Sequence, residues 1–226
     1  MDKIKLGVLV GGTSIEREVS KKSCENLLAN LDENKYDITV YHLPADGNTE
    51  WAKNIISNPP QIVLSALHGG NGENGSIQGF LHCLNIPYIG SKVLSSAICM
   101  NKAMAKTVMK ANHIQVPDHV FVMRGVVFSQ YEESIKLMGF PLIVKPNRGG
   151  SSIGVIVARN MEDIHYGIKN IMETYDDDVL IEKFIDGKEI NCCVLQGENG
   201  PEAMAVLDVK KAGSVFVYDD KYHIDE

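Results

Sequence analysis

The chain has 226 residues, 44% hydrophobic and 23% charged, the balance of a folded globular protein with room for one large domain or two small ones. Its formal net charge of −7, with no Lys/Arg-rich run, leaves a nucleic-acid role without electrostatic support. Its apolar stretches fall far short of the ~20 residues that cross a bilayer, so a soluble protein without a membrane partner is expected.

Residues 1–5 run straight into a strand-like segment and do not read as a signal peptide. The five cysteines (Cys24, Cys83, Cys99, Cys192 and Cys193) are odd in number and lack C-x-x-C spacing. That predicts free thiols, a cytoplasmic setting and no zinc site. Residues 4–10 are apolar and end in Gly11-Gly12, which predicts a buried strand feeding a turn. Ser20, Cys24, Leu27, Leu28 and Leu31 then recur at helical spacing. Strands are predicted over 37–43 and 61–67, a helix over 76–84 and a short extended piece over 86–89. This alternation is that of an open parallel sheet covered by helices.

Near residue 90 the character changes, and a domain boundary is expected there. Helical patterns over 93–99 and 102–112 precede a strand over 119–123. Segments 141–146 and 153–157 are β-rich and separated only by a Gly/Ser loop, which predicts a hairpin rather than a βαβ unit. An amphipathic helix over 161–173 follows, then strands over 179–184, 189–195 and 203–210. The second part therefore reads as α+β.

Lys145-Pro146-Asn147-Arg148-Gly149-Gly150-Ser151-Ser152-Ile153-Gly154 is the most informative stretch. Glycines let backbone N–H groups approach an anion and serine hydroxyls add donors, so a phosphate lid is expected, with Lys145 supplying positive charge. Gly70-Asn71-Gly72-Glu73-Asn74-Gly75 matches a dinucleotide fingerprint but follows the third strand, and no acid lies about 20 residues on to hold a ribose. Nicotinamide binding is therefore not expected. In Gly11-Gly12-Thr13-Ser14-Ile15-Glu16, Thr13 or Ser14 can cap the first helix. Glu16 either suits the positive helix end or, at the carboxyl edge of a parallel sheet, pairs with a substrate ammonium. The strand over 179–184 could line a flat pocket whose backbone reads an adenine edge, with Glu189 accepting from ribose hydroxyls.

In chain order these segments resemble the D-alanine–D-alanine ligases of the ATP-grasp superfamily, from about residue 4 to about residue 222. The resemblance is carried by Gly11-Gly12-Thr13-Ser14-x-Glu16-Arg17-Glu18-Val19-Ser20 and by Leu67-His68-Gly69-x-x-Gly72-Glu73-x-Gly75. It continues through Asn101-Lys102, Lys145-Pro146 with Gly150-Ser151-Ser152-x-Gly154, Leu180-Ile181-Glu182-Lys183 and Tyr218-Asp219-x-Lys221-Tyr222.

The resemblance implies a substrate domain over 1–90 with an open parallel sheet (the pre-ATP-grasp fold). It also implies a central ATP-grasp part over 91–184 and the start of an incomplete third part over 185–226. It implies that ATP phosphorylates one D-alanine carboxylate and that the amine of a second D-alanine attacks the acyl phosphate, a step of peptidoglycan synthesis. Lys102, Lys145, Ser151, Ser152 and Lys221 would meet the phosphates. Glu182, Lys183, Ile185 and Glu189 would take adenine and ribose. Glu16 would hold the first D-alanine ammonium near His68, and Glu16, Ser151 and Tyr222 would form a hydrogen-bonded lock. Tyr222 goes with D-alanine rather than D-lactate as second substrate. A cytoplasmic homodimer, joined through the first domain, is implied as well.

Family members also carry a later Arg-x-Asp strand and a Glu-x-Asn-x-x-Pro-Gly segment that ligate two Mg²⁺ ions. Neither is in this sequence, so a C-terminally truncated chain without metal ligands is expected. Glu189-Ile190-Asn191 imitates part of that segment but lacks Pro-Gly after it and lies at the ribose position. A catalytically inactive ATP- or amino-acid-binding relative, or another ATP-grasp carboxylate–amine ligase, is the alternative.

Overall fold

In the computed structural model the structure describes residues 2–209. The chain divides into two compact units, Met1–Ile114 and Gln115–Glu226.

The first unit is built on three parallel strands, β1 (Ile4–Gly11), β2 (Tyr36–Leu43) and β3 (Ile62–Ser65), in the order β2-β1-β3. A parallel bridge between Val63 and Tyr88 extends the sheet beyond β3. The continuous apolar run of β1 is explained by the two cores it serves. Leu6, Val8 and Val10 point into one, with Cys24 and Ala66. Leu9 points into the other, with Tyr41, Leu43, Ile55, Leu67, Ile77 and Leu81. Alternation along a strand sends neighbours to opposite faces, so a strand covered on both sides is apolar throughout. Helix α1 (Arg17–Asn30) covers the first face through Cys24, and α2 (Glu50–Ser57) and α4 (Ser76–Cys83) cover the second through Ile55, Ile77 and Leu81.

Helix α2 and the single turn α3 (Gly70–Glu73) were not read from the sequence. α2 has only eight residues, too few to repeat an apolar stripe. The glycines of the 70–75 segment are set by packing. A Cβ on Gly72 would lie 2.5 Å from the Leu67 side chain, and Gly75, at φ +94°, sits against the Val93 carbonyl. α5 (Val93–Met100) and α6 (Lys102–Ala111), which follow the compositional change near residue 90, fall within the first unit.

The second unit holds the antiparallel sheet β4-β7-β5-β6, from β4 (His119–Val122), β5 (Leu142–Pro146), β6 (Ile156–Ala158) and β7 (Val179–Lys183). β5 and β6 pair as the expected hairpin, Leu142 opposite Ala158 and Val144 opposite Ile156. β6 starts at Ile156 rather than 153 because residues 150–155 are spent on turns, Ile153 N–H to Gly150 O and Val155 N–H to Ser152 O. One sheet face buries Leu142, Val144, Val179 and Ile181 against Ile164, Ile168 and Ile171 of α8 (Met161–Thr174) and Ile135 of α7 (Ser129–Met138). α7 also went unread. α8 approaches the sheet at Gly167, where a Cβ would come 2.6 Å from Ile156 Cδ1 and 2.9 Å from Val144 Cγ1.

β8 (Glu189–Gly197) and β9 (Gly200–Val209) form a separate two-stranded antiparallel sheet with a register shift between Cys193 and Val194. Ile190, Val194, Leu195, Met204, Val206 and Leu207 on it are each more than half exposed. Among the described residues no helix is long and apolar enough to cross a membrane.

Two outcomes follow from this packing. Among the described residues no layer covers this two-stranded sheet, and such a sheet is marginally stable, so amides at 190–195 should exchange with solvent at least ~100-fold faster than those at 142–144 and 179–181. Equal protection would mean the hairpin is covered in solution. Burial pushes the Cys24 thiol above its ordinary pKa, while the other four cysteines are exposed. Four thiols should react promptly with an aromatic disulfide reagent in native protein and Cys24 only on unfolding.

Candidate functional site

The second unit's sheet offers its other face for chemistry. Ile143 stands opposite Glu182, so Lys145, two residues along β5, shares a face with Glu182. The two form an ion pair with side chains only 20% and 10% exposed. Lys145 thus holds its charge beside the loop that follows, and Glu182 fixes where that ammonium sits. In the next position Lys183 donates from Nζ to the carbonyls of Met138 (3.0 Å) and Gly139 (2.9 Å). Its side chain closes the end of α7. Ile185 is exposed beyond β7, and Glu189 opens β8, also exposed.

Between β5 and β6, Ser151, Ser152 and Gly154 have φ of +51°, +59° and +73°. Left-handed backbone costs non-glycine residues about 1–3 kcal/mol each, a strain that gathers at ligand clamps. No acidic side chain occurs from 147 to 155, whereas three glycines, two serines and Arg148 do, with Lys145 just before them. The donor set fits a phosphate chain. Lys102 is the first residue of α6, whose cap is the Asn101 side chain accepting from Met104 N–H at 3.0 Å. A cation there is opposed by the helix dipole, and a bound anion would relieve that opposition.

In the first unit, Glu16 is 6% exposed at the carboxyl end of the parallel sheet. The sequence expectation that Thr13 or Ser14 caps α1 is corrected. The cap residue is Glu16 itself, with no side-chain cap bond, and the Ser14 hydroxyl accepts from Glu16 N–H at 3.1 Å instead. Arg17 fastens the same turn through Nη1, donating to the Gly12 and Leu43 carbonyls at 3.0 Å each. Gly69 lies against this carboxylate. With φ +64° and ψ −179° it occupies backbone space open only to glycine. A Cβ there would fall 2.5 Å from Ser14 Oγ and closer still to Glu16 Oε2. His68 Nε2 hydrogen-bonds Ser23 Oγ at 2.8 Å. A cavity of about 130 Å³ opens between these turns, lined by Gly12, Ser14, Trp51, His68 and Gly69 among others.

The structure thus groups Lys145, Ser151, Ser152 and Glu182 on one unit and Glu16 with His68 on the other. Ser23 and Trp51 lie beside these groups and were not singled out in sequence, where nothing but proximity in the fold marks them. Lys221 and Tyr222 lie outside the described residues. Among the described residues no three His, Cys, Asp or Glu side chains gather to hold a metal. Gly69→Ala should lower stability by about 1–3 kcal/mol in urea unfolding. Gly79→Ala, on α4 with open space around it, should stay within about 1 kcal/mol and tend to stabilise. Equal behaviour of the two variants would refute the tight fit around Glu16.

Two family profiles match the chain, "D-ala D-ala ligase N-terminus" over residues 49–91 and "D-ala D-ala ligase C-terminus" over 108–226. The D-alanine–D-alanine ligase of Bacillus anthracis is 37% identical over 222 residues, spanning 97% of this chain and 68% of that protein. The D-alanine–D-alanine ligase B of Clostridium perfringens is 36% identical over 228 residues, spanning 97% and 69%. The crystal structure of the Bacillus anthracis ligase complexed with ATP superposes with a TM-score of 0.77 at 33% identity, covering 92% of this chain and 67% of that one. VanG, a D-Ala:D-Ser ligase of Enterococcus faecalis, gives 0.80 at 27% identity, covering 98% and 74%. The chain therefore spans about two thirds to three quarters of the length of these relatives. With the C-terminal profile alone covering more than half of its residues, the chain belongs to the D-alanine–D-alanine ligase family.

Proposed function

We propose that this chain serves the ATP-dependent joining of two D-alanines into D-alanyl-D-alanine for peptidoglycan precursors. One D-alanine carboxylate takes the γ-phosphoryl group and ADP leaves. The amine of a second D-alanine then attacks the acyl carbon, phosphate departs, and the amine's proton is lost. Such chemistry depends on positioning and on counter-charge more than on covalent help from the protein.

The observation that carries this reading is the union, on one sheet face and its loop, of Lys145, Glu182 and a turn at 149–154 rich in N–H and hydroxyl donors and free of acidic side chains. In this reading Lys145, Ser151 and Ser152 hold phosphate oxygens, and Lys102 and Lys221 add positive charge. Glu182, Lys183, Ile185 and Glu189 take adenine and ribose, Lys183 through its main chain because its ammonium closes α7. Glu16 and His68 meet the first D-alanine, and Tyr222 favours D-alanine as acceptor. Mg²⁺ would neutralise phosphate charge; the described residues offer it no ligand set, so no role in holding it is assigned to them. The substrate domain over 1–90, the central part over 91–184 and the third part from 185 belong to the same proposal. So do a cytoplasmic location and a homodimer formed through the first domain.

The test is calorimetric ATP binding by the full chain together with ADP release in the presence and absence of D-alanine. Removing a charge-assisted contact of about 1.5–3 kcal/mol, Lys145→Ala should weaken ATP by roughly 10- to 150-fold. No ATP binding, or no effect of that substitution, would sink the reading. ATP binding without ADP release would favour a nucleotide-binding protein. D-serine is a second candidate acceptor because of the likeness to the Enterococcus faecalis D-Ala:D-Ser ligase. A mixed product formed faster with D-serine than with D-alanine would replace the D-alanine assignment.

A further inference from the structure

We infer that Asp177 is a positioning residue for the phosphate loop, an inference that rests on the nucleotide reading above. The loop departs from β5 at Asn147 and Arg148, and both are hung on one acidic turn just before β7. Asn147 N–H donates to the Asp178 carbonyl at 2.9 Å. Arg148 N–H donates to Asp177 Oδ2 at 2.6 Å and its Nε to Oδ1 at 3.1 Å, while Nη2 reaches Asp178 Oδ2 at 3.3 Å. Asp177 Oδ1 also accepts from Asp178 N–H at 2.8 Å, and the carboxylate is 7% exposed. The carboxylate therefore grips main chain and side chain of one residue together, a geometry that fixes both the position and the direction of the departing loop.

The other end of the loop meets the same turn. Gly154, at φ +73°, lies against the ring of Tyr175, where a Cβ would come 2.9 Å from Cε2. Residues 175–178 thus fasten the loop at both ends. From this turn β7 runs directly to Glu182, which pairs with Lys145. On the far side Arg124 secures the turn, pairing with Asp176 and donating its N–H to Asp178 Oδ1 at 3.0 Å.

Pinning both stems leaves residues 149–153 as the span to be ordered. Fixing one residue's backbone costs about 1–2 kcal/mol, so anchored stems reduce what phosphate binding must overcome. The sign of the effect is therefore specific. Loosening the clamp should weaken ligands that carry phosphates and spare those that do not.

The experiment compares wild type, Asp177→Asn and Arg148→Ala in the full chain. It measures affinities for ATP and for adenosine, far-UV circular dichroism, and, where Arg148 is present, the initial rate of tryptic cleavage after it. Asp177→Asn sets an amide donor against the Arg148 donors. It should speed that cleavage several-fold and weaken ATP about tenfold, with adenosine changed less than twofold. Arg148→Ala keeps the main-chain bond to Asp177 and should weaken ATP by less, with the fold intact even if Asp177→Asn folds poorly. An unchanged cleavage rate, or equal loss of ATP and adenosine in a folded variant, would overturn the positioning role. A wild type that binds neither ligand would overturn the nucleotide reading and this role with it. Faster cleavage of Asp177→Asn than of wild type in that case would leave the clamp standing as a structural contact alone.

Discussion

The antiparallel pairing of β5 with β7 is the constraint from which the second unit's organisation follows, because its register sorts side chains between two environments. Leu142, Val144, Val179 and Ile181 go to the helices, and Lys145 and Glu182 go to the opposite face. A slip of one residue in either strand would turn its side chains over, driving Lys145 or Glu182 toward the apolar core and that strand's buried residues to the opposite face. The hydrophobic layer thereby also fixes the position of the charged pair. Taking two ions largely out of water is offset only by their closeness and further hydrogen bonds, so each needs the other in place.

The two units reach polar chemistry by different routes. In the first, all strands run the same way, and functional candidates collect in the turns at their carboxyl ends, Glu16 after β1 and His68 with Gly69 after β3. These turns interlock through contacts with no room for a side chain, as Gly69 against Glu16 demonstrates. In the second, the sheet face itself carries Lys145 and Glu182, and the glycine-serine loop over 149–154 leaves the plane. That loop has left-handed residues in succession and is tied at its base to the 176–178 turn.

β8 and β9 stand apart from both arrangements. They pair from Glu189 opposite Val209 to Gly197 opposite Gly200, with one register shift between Cys193 and Val194. With apolar side chains more than half exposed, they contribute little burial and depend on local hydrogen bonds.

Strong periodicity and unusual residue clusters were legible in the sequence. The apolar run of β1, the helical spacing of α1 and α8, the β5–β6 hairpin and the glycine-serine loop each declare themselves within a few residues. The family, too, was legible, from the order of short motifs. What was not legible has a common cause. Helix α2 is too short to show a period, α7 is marked only by Tyr131, Ile135 and Met138, and the start of α1 depended on whether Ser14 capped a helix or closed a turn. The grip of Asp177 on Arg148 joins residues 29 apart, and the seat of Glu16 against Gly69 joins two loops after different strands. The sequence by itself determined the strongly patterned strands and helices and the place of the glycine-serine loop, because those depend on neighbours along the chain. Only the tertiary structure decided which carboxylate holds which cation and which glycine admits which side chain, because such contacts exist only once distant segments share one space.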